Sequence, residues 1–156
     1  KYADLSMNRE SNYRFSFKKM LALNGNTAPY MLYAFARIQG IRRKALNTLG
    51  PEGAKSISSI ESSQFILETE EELALSKQLL RFEEILSEVE KDLYPNKICE
   101  YLFELSSKFN QFYENCPVIK ADSEELRVSR TALCSVTSDA LQLGLGLLGI
   151  KTLDKL

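Results

Sequence analysis

The chain has 156 residues, 44% of them apolar and 26% charged, enough for one sizeable core and too apolar for global disorder; no apolar run approaches the ~20 residues of a membrane-spanning helix. It contains no histidine, which removes imidazole acid–base catalysis, every triad that needs it and nearly all mixed Cys/His zinc sites. The net charge of −1 divides unevenly, +7 over residues 1–55 and −8 over the remainder, a pattern that points to a localised anionic partner rather than general stickiness to polyanions.

Helical spacing dominates, without convincing β alternation. The chain opens on Lys1, not Met, and no signal peptide stands at its start. Lys1 to Arg9, with Tyr2, Leu5 and Met7, reads as the end of a helix begun upstream, so the expectation is a fragment of a longer protein. Ser11 to Ser16 is a polar turn. Ser16 starts a short helix through Phe17, Met20 and Leu21 that ends near Asn24-Gly25. Asn26-Thr27 with Pro29 then opens a helix from about Ala28 to Leu46 or Leu49, stopped by Gly50-Pro51-Glu52-Gly53. Residues 54–68, rich in serine (Ser56, Ser58, Ser59, Ser62, Ser63), read as a mobile connection with at most a turn of helix.

Glu70-Glu71-Glu72 begins the next helix, where acids suit the positive end of the dipole; Arg81-Phe82 marks a break in it. Pro95 opens a helix to about Asn115, with Ile98, Tyr101, Leu102, Leu105, Phe109, Phe112 and Tyr113 at core spacing. Ser123 caps a last long helix through Leu126, Leu133, Val136, Leu141 and Leu145, ending at Gly149. The predicted fold is all-α, a helical bundle of about five principal helices. Cys99, Cys116 and Cys134 are odd in number, 17 and 18 residues apart and without a C-x-x-C pair. They argue against a disulfide framework or metal cluster and for a reducing, cytosol-like compartment.

The helix after Pro29 carries the chemistry. At about 100° per residue, Tyr30, Tyr33, Arg37 and Lys44 fall within one ~60° arc, while Met31, Leu32, Phe35 and Ile38 form a core stripe elsewhere. Phenol rings one turn apart with a guanidinium a turn further suit unpaired bases and phosphates. Arg42, Arg43 and Lys44 are candidate phosphate contacts. The same spacing also suits half-buried core tyrosines with hydroxyls at the rim. Tyr113 reads as core or rim. No phosphate loop is present. Gly144, Gly146 and Gly149 follow no strand and read as close helix packing. The carboxylates between Glu68 and Asp92 read as a solvated face.

Several boxes carry a resemblance: Lys1-Tyr2-Ala3-Asp4-Leu5-Ser6 with Asn8-Arg9, Gly25-Asn26-Thr27-Ala28-Pro29-Tyr30 with Tyr33-Ala34 and Arg37-Ile38, Leu80-Arg81-Phe82, Cys99-Glu100-Tyr101-Leu102, Phe112-Tyr113 with Cys116, and Leu147-Leu148-Gly149-Ile150. In this order they resemble the C-terminal part of arginyl-tRNA synthetases over essentially the whole chain, the N-terminal box being similar to the eukaryotic cytosolic type, which also occurs in some bacteria. The resemblance implies that residues 1–16 are the tail of a catalytic-half helix and its connector and that residues 17–156 are the α-helical anticodon-binding (DALR) domain. It places Tyr30, Tyr33, Arg37, Tyr113 and the C-terminal Leu156, where the family usually ends in Met, against the anticodon. It implies tRNA for arginine and the catalytic domain of the same chain as partners, no membrane, a monomer and a cytoplasmic location. It implies no catalytic residue and no cofactor in this segment. ATP and Mg would be bound by the parent's Rossmann-type domain, as in a class I arginine–tRNA ligase. The alternatives are a non-catalytic tRNA-binding adaptor of the same domain type and a helical protein-interaction domain.

Overall fold

A computed structural model describes residues 1–10, 12, 16–61 and 64–153. Among these residues there are seven helices and no strand: α1 (Tyr2–Leu5), α2 (Phe17–Met20), α3 (Ala28–Ser58), α4 (Glu70–Leu80), α5 (Phe82–Asp92), α6 (Asn96–Asn115) and α7 (Glu124–Leu147). The last five are the principal helices of the expected bundle. Ser11, Ser62, Ser63 and Leu156, which entered the sequence reading, lie outside the described residues.

Local chemistry accounts for most boundaries. Thr27 caps α3, its Oγ1 accepting the Tyr30 N–H at 3.3 Å, and Pro29 sits in the first turn, where a missing N–H has no intrahelical partner to lose. Thr69 and Glu72 form a capping box on α4: the Glu72 N–H donates to Thr69 Oγ1 at 3.2 Å, and Glu72 Oε2 accepts the Thr69 N–H at 2.9 Å. α4 and α5 meet at Arg81, where the sequence predicts a break.

The break at Gly50 has a different outcome from the one expected. Gly50 adopts φ 68°, ψ −168°, a backbone region that only glycine reaches without strain. The chain then re-enters helix at Pro51, whose lack of an N–H is harmless in a first turn, and stays helical to Ser58. The first part of the predicted connection is therefore a second helical segment. Two N-terminal elements are shorter than expected. α1 ends at Leu5 instead of Arg9, and α2 ends at Met20, four residues before Asn24. Neither has a side-chain cap hydrogen bond, so little holds the longer forms against fraying.

The core is built mainly by α3, α6 and α7. Met31, Phe35 and Ile38 of α3 meet Leu102, Leu105, Phe109 and Phe112 of α6 and Leu133, Leu141 and Leu145 of α7, all buried. Each fully buried side chain of this size contributes about 1.5–3 kcal/mol. Gly144 lets α6 and α7 approach: a Cβ there would stand 2.7 Å from Leu102 Cδ2, which bears out the packing role expected for it. α1 is tied to the bundle by Tyr2, whose buried hydroxyl lies 2.6 Å from Asn26 Oδ1 and 3.1 Å from the Cys99 carbonyl. The three cysteines are buried and unbridged, and desolvation raises the Cys99 and Cys134 thiols to about 12.

One expectation is overturned inside α4. Glu72 belongs to no solvated face. It is fully buried, and its Oε1 accepts from Arg130 Nε of α7 at 2.6 Å. Arg130 also donates to the Pro117 carbonyl at 3.0 Å, and Glu72 Oε2 accepts the Glu68 N–H at 2.7 Å. Burial pushes the Glu72 carboxyl up, but the Arg130 hydrogen bond, the two backbone N–H donors and the Arg130 charge together hold it below the usual carboxylate range. Sequence period alone does not reveal this, because the partner comes from a helix 58 residues away. Val136, by contrast, was expected in the apolar stripe of α7 and is exposed.

Candidate nucleic-acid interface

α3 and α6 pack side by side, and their neighbouring edges bring four of the predicted residues together. Tyr33 and Arg37 stand one turn apart on α3. Arg37 Nη2 donates to the Tyr33 hydroxyl at 3.0 Å, and its Cζ lies 4.7 Å from the centre of the Tyr33 ring. Across the groove, Tyr113 near the end of α6 places its ring centre 5.2 Å from the same Cζ. The guanidinium is thus flanked by two phenol rings, an arrangement that favours a cation over the π face. Tyr33 is 44% exposed and Tyr113 42% exposed, so both rings reach solvent. Tyr113 is backed from below by Phe109, ring centres 6.2 Å apart and nearly parallel.

Tyr30 behaves differently from Tyr33. It is half-buried, packed against the core, with its ring centre 5.8 Å from that of Phe103. Its hydroxyl accepts from Asn110 Nδ2 at 2.8 Å and lies 3.5 Å from Ser107 Oγ. Asn110 Oδ1 in turn accepts from Arg37 Nη1 at 2.9 Å. One amide of α6 therefore joins the two polar residues of α3. Sequence reasoning missed Asn110 and Ser107. The available signal was their spacing: Asn110 lies three residues before Tyr113 and Ser107 three before Asn110, a polar line along one edge of an amphipathic helix.

The arc drawn on the α3 wheel is not all surface. Ala34 and Ile41, which fall within or beside it, are buried, because α6 covers that side of α3 and leaves only its margin open. The three candidate phosphate contacts separate. Arg43 and Lys44 are exposed. Arg42 is half-buried on the α7 side of α3, lining a cavity of about 570 Å³ with Asp139, Leu46 and Val136, away from the tyrosines. Leu156 lies outside the described residues.

The Tyr33, Arg37 and Tyr113 group can stack flat π faces and donate N–H groups to anionic or carbonyl oxygens. Among the described residues no cluster of three or more His, Cys, Asp or Glu side chains could hold a metal ion, and no helix is long and apolar enough to cross a membrane.

The family model for the DALR anticodon binding domain matches residues 31–156. The chain belongs to this family. DALR-domain relatives agree along its whole length: an arginine–tRNA ligase of Rippkaea orientalis is 55% identical over 100% of the chain, and one of Nostoc punctiforme is 53% identical over 100% of it. Among solved structures, an arginyl-tRNA synthetase from Plasmodium falciparum superimposes with a TM-score of 0.82 at 35% identity, covering 99% of the chain and 26% of its own. One from Thermus thermophilus gives 0.72 at 31% identity over 91% of the chain and 23% of its own. The chain spans about a quarter of the length of the curated relatives it matches. These relatives are cyanobacterial and do not support the eukaryotic cytosolic subtype expected from the N-terminal box.

Proposed function

We propose that this DALR domain reads the anticodon of tRNA for arginine as the C-terminal part of an arginine–tRNA ligase. In this reading residues 1–16 continue a catalytic half that binds ATP, Mg and arginine and joins arginine to its tRNA, acting in the cytoplasm as a monomer. The domain itself performs no chemistry. Tyr33 and Tyr113 stack on unpaired anticodon bases, and Arg37 contacts a base edge or phosphate. Tyr30 supplies a hydroxyl at the groove floor, Leu156 closes the wall, and Arg43 and Lys44 lie along the approach. The relatives at 53–55% identity are ligases, which favours this reading over the adaptor.

One observation carries the proposal. Among the described residues, two half-exposed phenol rings flank a guanidinium whose hydrogen-bond partners are a phenol and an amide, with no carboxylate. The half-open π faces offer flat surfaces on which an unpaired base can stack beside a cation. In the full-length ligase, Tyr33→Ala is expected to lower kcat/KM for arginine tRNA roughly 5- to 150-fold, the ~1–3 kcal/mol of one lost base stack, with an unchanged thermal melt. Unchanged aminoacylation would overturn the assignment.

A further inference from the structure

The hydrogen bonds around Asn110 fix more than position. A guanidinium carries five N–H donors and no acceptor, so the amide oxygen of Asn110 must face Arg37, 2.9 Å away. Its NH₂ is then committed to the Tyr30 hydroxyl at 2.8 Å. An NH₂ group only donates, so the phenol oxygen accepts and the Tyr30 proton must point elsewhere. Ser107 Oγ, at 3.5 Å, is at the far limit of a hydrogen bond and competes weakly for it.

We propose that Asn110 is a positioning residue that sets the hydrogen-bond polarity of the groove. Through Asn110, Arg37 makes Tyr30 a donor toward the ligand. Tyr30 and Arg37 then both present donors, and the groove selects nucleotide groups with bare acceptors, whether a phosphate oxygen or the carbonyl or ring nitrogen of a base, over exocyclic amines. The inference rests on the RNA-binding reading of this face.

A double-mutant cycle in the full-length ligase tests it, read as kcat/KM on an arginine tRNA transcript. With Asn110 in place, Tyr30→Phe is expected to cost about fivefold, one hydrogen bond's ~1 kcal/mol. Asn110→Asp offers only acceptors, so Tyr30 must turn its proton inward. In that background Tyr30→Phe is expected to cost less than about 1.5-fold, and the cycle cancels the uniform effect of the added charge. Asn110→Ala adds no charge and frees the phenol to rotate; there the cost of Tyr30→Phe is expected to fall below about threefold, which keeps the test intact if the Asp variant melts early. Equal costs across the backgrounds, or no cost beside Asn110, would overturn the inference. A transcript with a changed anticodon separates the two acceptor sources: the Tyr30→Phe cost vanishes there if the acceptor is a base and persists if it is a phosphate. Tyr33→Ala in the same assay separates the two levels of the argument. If it has no effect, the RNA-binding reading falls; if it has its expected effect and the cycle is flat, only the role of Asn110 falls.

Discussion

Two arginines of this domain live in opposite surroundings. Arg130 is 6% exposed and answers a carboxylate, with Glu72 Oε1 at 2.6 Å and a backbone carbonyl completing its partners. Arg37 stands at a groove margin between two phenol rings, bonded to a hydroxyl and an amide. The first charge is neutralised within the fold. The second is oriented by neutral groups and keeps its positive field, because neither a phenol nor an amide cancels a unit charge. In the proposed reading the guanidinium whose partners among the described residues are neutral serves a ligand outside the fold, whereas the one that meets a carboxylate in the core serves the fold itself.

The comparison breaks most visibly at the buried pair. Glu72→Gln leaves Arg130 buried without its counter-charge, which costs about 3–5 kcal/mol. That is a large share of the ~5–15 kcal/mol that stabilises a domain, so a loss of folded protein or a steep fall in melting temperature is expected by circular dichroism. Replacing both partners, Glu72→Met with Arg130→Met, should recover part of it: no charge is then stranded, but the Glu68 and Thr69 N–H groups and the Pro117 carbonyl lose their partners. The pH response has a definite sign. The folded Glu72 carboxyl is held below the usual carboxylate range, so its stabilisation is full above the unfolded value of about 4.3 and fades as pH falls through the lower folded value. The wild-type melt should therefore decline in acid, and the double variant should decline less. A Glu72→Gln domain as stable as wild type would mean that the pair contributes nothing to the fold.

How much of this was legible before the structure follows from where each partner comes from. The principal helices announce themselves locally: Thr27 with Pro29, Glu70-Glu71-Glu72, Pro95 and Ser123 are start signals within one turn of the helices they open. Tyr33 and Arg37 were legible for the same reason, since an i, i+4 pair is fixed by helix pitch alone. The Arg37 contact with Tyr113 bridges 76 residues and Glu72–Arg130 bridges 58. No period within one helix encodes such pairs. Tyr113 was reached only through resemblance to a family, and Glu72 was assigned to the wrong environment. Tyr30 was misjudged in degree: the wheel placed it beside Tyr33, but packing of α6 over α3 turned it into the groove floor.

The half-buried arginine at the groove margin gives an intermediate effect. Arg37→Lys keeps the charge but loses the planar fork that bonds Tyr33 and Asn110 together, and about a tenfold fall in kcat/KM for arginine tRNA is expected, with Arg37→Met falling further. Binding measured across a salt series sharpens the result. If Arg37 meets a phosphate, the Met variant loses about one unit from the log–log salt slope; if it meets a base edge, affinity drops while the slope holds. Arg37→Met with unaltered affinity at every salt concentration would mean that this charge is held for no nucleic acid.

The smallest effect is expected at Arg42, five residues along the same helix. The side chain faces α7 and shares a cavity of about 570 Å³ with Asp139, on a different side of α3 from the flanked guanidinium. Sequence proximity alone would group it with Arg43 and Lys44 as a phosphate contact, whereas it is half-buried on the α7 side of α3. Arg42→Gln is therefore expected to change kcat/KM for arginine tRNA by less than about twofold and to leave the salt slope intact, since an exposed cation near RNA contributes through the phosphate field and a cation turned toward the bundle does not. The matching change at the exposed Lys44 supplies the contrast, because it should lower the slope if RNA runs along this margin of α3. A loss at Arg42 as large as at Arg37 would require RNA to reach the α7 side of the helix, and the groove between α3 and α6 would then be only part of the interface.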